Sequence, residues 1–198
     1  ISLAPSLTEL LYAAGAGNKL VGVVEYSDYP IAAKALPIIG RYDMLDMEKI
    51  LQLQPDLVVA WQSGNPRASV KRLRELGLTV YIAEPKRLDS IPSHIRRLAT
   101  LAGTEELAAK VIEDFDTQLA TLSENYRTKT PVRTFYQVWD RPLISAGGNE
   151  LINDIIELCG GVNIFFDIEL VAPKVSLEAV LTRNPEAIVA SGMDIERP

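Results

Sequence analysis

One phrase is written twice in this chain. MEKILQLQPDLVVAW, residues 47–61, returns as LEAVLTRNPEAIVASG, residues 177–192. In both copies a Glu is followed by Leu, then Pro, an acidic residue and an apolar run that ends in Ala, at the same spacings. A helix that must stop before its proline and feed a short buried strand fits this wording. A looser second echo links TELLYAAGAGNKLVGV, residues 8–23, to NELINDIIELCGGVNIF, residues 149–165, each a helix closed by glycine and followed by an apolar segment. Two related lobes explain such spacing better than one continuous sheet.

The intervening chain supports an α/β class. Ser6 and Glu9 spell a capping box ahead of a helix over 7–14 that stops at Gly15. The run LVGVVE, residues 20–25, reads as a buried strand. Helices over 47–52 and 67–76 then alternate with apolar strands over 57–60 and 78–83, as in a parallel sheet covered on both faces. From Thr104, apolar residues Leu107, Val111, Phe115, Leu119, Leu122 and Tyr126 recur at helical spacing. Such a helix would be roughly 33 Å long, enough to connect two lobes. A strand over 132–138, a helix over 150–158 and the second copy of the repeat resume the α/β pattern. The expected division is an N-terminal lobe over 1–88, a helical segment over 89–130 and a C-terminal lobe over 131–198. That second lobe looks unfinished, so a truncated chain is expected.

Bulk properties exclude several classes. With 198 residues, 47% of them hydrophobic, the chain can bury a sizeable core. No apolar run approaches the roughly 20 residues a spanning helix needs. A net charge of −6, with no basic stripe interleaved with aromatics, argues against nucleic-acid binding. Cys159 is the one cysteine, which excludes a disulfide or cysteine metal cluster within these residues and leaves a buried structural thiol as the plain reading.

Catalytic motifs find little support. Gly15-Ala16-Gly17 starts like a dinucleotide fingerprint but follows a helix and has Leu20 where the third Gly belongs. His94 is the one histidine and reads as a packing or surface residue. Asp43, Asp46 and Glu48 lack the convergence or contrasting environments that a metal site or an acid–base pair requires. No metal ligands and no catalytic residues are assigned.

The aromatics carry more information, because Tyr26, Tyr29, Tyr42, Trp61 and Trp139 fall in loops or at strand ends. Parallel α/β sheets bind ligands outside the carboxyl ends of their strands, where Tyr26, Trp61 and Trp139 are expected. Rings converging there suit a large, partly apolar ligand, although rings that only pad loop bases produce the same pattern. Glu48 and Glu178 read as first-turn residues of helices capped by Asp46 and Ser176, a placement that helix stabilisation alone explains.

LAPSLTELLYAAGAGNKLVGVVEYSDYP, MEKILQLQPDLVVAW, ELCGGVNIF and VSLEAVLTRNPEAIV together resemble the periplasmic cobalamin-binding proteins of ABC importers. These lie within the wider class that also binds ferric siderophores and haem. The likeness runs over essentially the whole chain, and the Tyr26–Pro30 segment and Trp61 favour cobalamin. It implies a helical-backbone binding-protein fold: two Rossmann-like α/β lobes joined by one long helix. A transported cobalamin or related corrinoid, vitamin B12 being the type, would lie in the cleft with no side chain ligating cobalt and no catalytic cofactor. By position, Tyr26, Tyr42 and Trp61 form the first-lobe wall. Ile144 and Ala172 stand where the family can place rings, which removes stacking surface and leaves another bulky ligand open; Trp139 is the residue that could compensate.

The resemblance also implies that Glu48 and Glu178 dock on basic residues of a membrane permease dimer. It places the protein, as a monomer, in the periplasm, or outside the cell on a lipid anchor in a Gram-positive organism. It extends the family beyond Pro198, with a cysteine able to pair with the equivalent of Cys159. Ferric-siderophore or haem binding is the alternative within the class. A doubly wound enzyme acting on a small substrate is the alternative outside it.

Overall fold

A computed structural model describes residues 1–190 of the chain, so Ser191 and Gly192, the end of the second copy of the repeat, lie outside the described residues. The chain divides into two compact units, one of Ile1–Pro85 and Ile91–Phe115, the other of Lys86–Ser90 and the chain from Asp116 onward.

In the first unit, Ser2 bridges Val23 and Val59 and Val23 bridges Ile38, all in parallel. β3 (Val58–Trp61) then pairs in parallel with β4 (Val80–Ala83). The spatial order is therefore the segment at 38, that at 23, that at 2, β3 and β4, which is 3-2-1-4-5 in chain order. This is the doubly wound order, whose switch point falls between the segment at Ser2 and β3. The strand expected over 20–25 is reduced to the bridges at Val23, because Gly22 and the turn at Tyr26 leave little room for a longer ladder.

The sheet is covered on both faces. Alternation along β3 sends Val59 toward Leu7, Leu11, Leu98 and Ile112, while Val58 and Ala60 pack with Ile50, Val70 and Leu73. The first layer comes from α1 (Pro5–Ala13), α4 (Ile91–Ala102) and the start of α5 (Glu105–Tyr126). The second comes from α2 (Met47–Gln52) and α3 (Arg67–Glu75).

Local chemistry sets the helix ends. Pro5, which has no N–H to lose, stands at the start of α1 after Ala4, so the expected Ser6 capping box does not form. At the other end Gly15 adopts φ +77°, its N–H donating to Tyr12 O while that of Ala16 donates to Leu11 O. This is a Schellman closure, not a phosphate loop. α5 buries Ala108 and Ile112, whereas Leu107, Val111, Leu122 and Tyr126 of the expected stripe are exposed. Ala108 and Ile112 join the first core layer, and the start of the helix lies close to Gly15, where an added Cβ would meet the Leu107 side chain. The boundary between the units falls within this helix.

In the second unit β5 (Val132–Asp140) is the central strand. β8 (Ala187–Ala190) pairs in parallel along one edge; β7 (Gly161–Asn163), parallel, and β6 (Leu143–Ser145), antiparallel, share the other. Phe135, Ile164, Phe165 and Val180 form the core, the two phenyl rings meeting edge to face at 6.1 Å. α6 (Leu151–Leu158) carries buried Asp154, which pairs with Arg87 at 2.9 Å and accepts the Leu88 N–H at 2.9 Å. Cys159, at the end of α6, is exposed and not the buried thiol expected, because the α6 face that packs inward is that of Asn153 and Ile156.

Each copy of the repeat makes a capped helix and a strand. Asp46 accepts the Lys49 N–H ahead of α2, and Ser176 accepts the Ala179 N–H ahead of α7 (Leu177–Arg183). The buried positions are Ile50 and Val180, whereas Leu51 and Leu181 are exposed because they lie on the outer sides of their short helices. Ile188 and Val189 are exposed too, since β8 is paired along one edge only among the described residues.

Candidate ligand-binding site

Three aromatic residues stand at the carboxyl ends of the parallel segments of the first unit. Tyr26 follows the segment at Val23, adopts φ +66° and is 80% exposed. A tyrosine in the left-handed region is uncommon and needs support from its surroundings. That support comes from buried Ser27, whose Oγ lies 3.2 Å from Thr8 Oγ1; Thr8 in turn reaches Ser2 Oγ at 2.9 Å and Ala4 O at 3.2 Å.

Tyr42 occupies the turn of a hairpin made by β1 (Gly40–Arg41) and β2 (Met44–Leu45). Gly40 has φ +103°, and an added Cβ would collide with Met44 O, so only glycine permits this close crossing. Arg41 closes the turn by donating from Nε to Asp43 Oδ1 at 2.9 Å and from Nη2 to Oδ2 at 2.7 Å. These bonds hold the Asp43 carboxyl below its ordinary range. The exposed Tyr42 ring lies 6.2 Å from that of half-buried Trp61, tilted by 58°.

Trp61 ends β3 and is held by a residue that motif and periodicity arguments passed over. Asn65, 4% exposed, accepts the Trp61 N–H at 2.6 Å and donates to Leu3 O at 2.9 Å and Tyr42 O at 2.8 Å. Only this orientation of the amide satisfies all three groups. A Cβ on Gly64 would overlap the Trp61 ring. The signal in the sequence was the turn-forming run Ser63-Gly64-Asn65-Pro66 directly after an aromatic strand end. Beside Trp61, Asn65 and Val70, a cavity of about 370 Å³ carries Arg67, Lys71 and Arg74 in its lining. A second cavity, about 280 Å³, opens at the amino ends of the same segments near Ile1 and Leu57, away from the rings.

In the second unit the structure gathers the other expected residues. Trp139 and Ile144 are cross-strand partners of β5 and β6, and Ile144 bridges Lys174, two residues past exposed Ala172. A bulge between Gln137 and Trp139 re-aims the indole, which is 55% exposed and donates from Nε1 to Arg141 O at 3.1 Å. Ile144 is half-buried. Gly147 and Gly148 lie against the carbonyls of Ile168, Leu170 and Phe166 with no space for a side chain, which packs these loops together.

Other candidates are employed elsewhere. Buried His94 accepts the Glu84 N–H at 3.4 Å, Asp43 pairs with Arg41, and Asp46 caps α2. Glu48 and Glu178 are both exposed in first helical turns, Glu48 accepting from Gln52 Nε2 at 3.3 Å. Among the described residues no group of three or more His, Cys, Asp or Glu could hold a metal ion, and no helix is long and apolar enough to cross a membrane.

A family model for periplasmic binding proteins matches residues 1–198. The chain belongs to that family. It is 43% identical over 191 residues to the vitamin B12-binding protein of Vibrio cholerae, covering 96% of this chain and 69% of the relative. The crystal structure of the periplasmic vitamin B12 binding protein BtuF of Vibrio cholerae matches with a TM-score of 0.88 at 42% identity, over 96% of this chain and 75% of that one. The periplasmic heme binding protein HutB of the same organism matches with a TM-score of 0.85 at 26% identity, over 98% and 76% respectively. The two α/β units and the 22-residue helix shared between them are thus a periplasmic binding protein fold.

Proposed function

We propose that this protein captures cobalamin or a related corrinoid and delivers it to the permease of an ABC importer, without chemical turnover. The observation that carries this reading is the likeness to vitamin B12-binding proteins across nearly the entire chain. The site chemistry agrees with it. Tyr42 and Trp61 present adjoining ring faces at the switch point of a doubly wound sheet, a surface suited to stacking and area burial against a large ligand. Tyr26, exposed after the neighbouring segment at Val23, is assigned to ligand contact with them. From the second unit we assign Trp139 to ligand contact, Ile144 and Ala172 supplying smaller apolar area.

Glu48 and Glu178 are assigned to permease docking. Each is exposed, and each projects from an equivalent capped helix of the repeat. A matched pair of carboxylates suits a partner with matched basic residues. We assign the protein to the periplasm, a compartment that the family's description supports, and to a monomeric state; export with a lipid anchor is the corresponding proposal for a Gram-positive cell.

Isothermal titration with cyanocobalamin tests the reading, with one-to-one binding at micromolar affinity or tighter expected, about −8 kcal/mol or more negative. Absence of heat, together with tight binding of haem or a ferric siderophore, overturns the corrinoid assignment in favour of the rest of the class. Turnover of a small substrate would favour an enzyme.

A further inference from the structure

We propose that Asn65 is a positioning residue for ligand recognition: its buried amide fixes the segments that carry Trp61 and Tyr42, and Gly64 keeps clear the space that the Trp61 ring occupies. This rests on reading the two rings as the ligand-contact surface. Asn65 reaches three separate parts of the first unit: the end of β3, the β1–β2 turn through Tyr42 O, and the opening segment through Leu3 O. The Leu3 and Trp61 contacts lie on opposite sides of the sheet's switch point, so one amide spans the position where a doubly wound fold opens toward its ligand.

No other side chain does the same work. Aspartate can accept from the Trp61 N–H but cannot donate to the two carbonyls, and it brings a charge into a buried place. Alanine leaves a donor and two acceptors unpaired. Neighbouring Gly64 acts by volume alone, since a Cβ there would overlap Cε3 and Cζ3 of the indole. A ligand meeting the wall finds the rings already in place, so it does not have to supply the ordering free energy itself.

The experiment uses Asn65→Ala and Gly64→Ala with two readouts. In a Trp139→Phe background of this 198-residue chain, Trp61 is the sole tryptophan of these residues, and acrylamide quenching without ligand reports its accessibility and order. In the wild-type background, calorimetry with cyanocobalamin gives affinity for each variant alone and combined with Trp61→Ala. Folded variants are expected to quench more readily and to bind about tenfold more weakly or worse, an effect that largely disappears once Trp61 is alanine. Unchanged quenching in the folded variants, or losses fully additive with Trp61→Ala, overturns the positioning role. Should Asn65→Ala not fold, Gly64→Ala, which removes no hydrogen bond, carries both readouts. If the wild-type protein does not bind cyanocobalamin, the corrinoid reading fails, while quenching still decides whether Asn65 and Gly64 hold the ring.

Discussion

Gln54 and Asn184 take the same left-handed turn, with φ of 45° and 47°, each directly before the proline of its copy of the repeat. Asn184 is the C-cap of α7, and Gln54 follows the C-cap of α2. At both positions the backbone reverses out of a short helix into an extended strand, and the helix has too few turns to persist without a cap.

The caps at the other ends are therefore expected to matter. Asp46→Ala and Ser176→Ala should each lower stability by about 1 kcal/mol, because an early helical N–H loses its acceptor. Urea unfolding of the single variants checks this, and midpoints equal to wild type would show that neither cap contributes.

Charge reversal at Glu48 and Glu178 together should leave ligand affinity unchanged, since neither carboxylate belongs to the ring wall. Association with the permease should weaken by about tenfold or more and with a steeper dependence on salt. Uptake assays and permease pull-down decide it; normal transport by the doubly reversed protein removes the docking assignment.

Trp61→Ala should weaken corrinoid binding by about 2 kcal/mol or more, the cost typical of truncating a central tryptophan anchor. Tyr26→Ala, whose ring is far more exposed, should cost less. Calorimetry ranks the two, and equal losses would mean that burial in the free protein is no guide to the ligand surface.

Arg183 holds the Asp167 carboxyl below its ordinary value of 3.8, chiefly by hydrogen bonding. The folded-state pKa is depressed, so the pair's contribution is present above that ordinary value and is lost as pH falls through the lower folded one. The carboxylate is solvent-exposed, so the contribution is modest and salt-screened. Asp167→Asn should flatten this acid limb of the stability curve; an unchanged limb in low salt would show the pair to be thermodynamically silent. Arg183 also lies 4.7 Å above the Phe165 ring, so Arg183→Ala should cost more than Asp167→Asn through lost packing.

Much of the fold was legible because it rests on local rules. Helix period, proline before a strand, glycine after a helix and polar caps act within a few residues, and they placed α2, α3 and α6 with errors of a residue, and the starts of α5 and α7. The capping box at Ser6 misled because Pro5 offers a competing helix start on the same stretch. The α5 spacing located the helix, but periodicity does not show which residues a neighbour will cover; those buried are Ala108 and Ile112.

Of the site, the sequence by itself determined the residue types and their local settings: rings at strand ends, a glutamate opening each copy of the repeat, and a turn after Trp61. Only the tertiary structure decided which of these meet. Tyr42 and Trp61 are joined by ring contact and by the Asn65 amide, which reaches carbonyls 62 and 23 residues away. No local pattern encodes these two long-range hydrogen bonds, because the one to Leu3 O exists only after the 3-2-1-4-5 order has brought the opening segment beside β3. A buried amide must find partners wherever the fold supplies them, and here those partners lie on three separate segments around the paired rings.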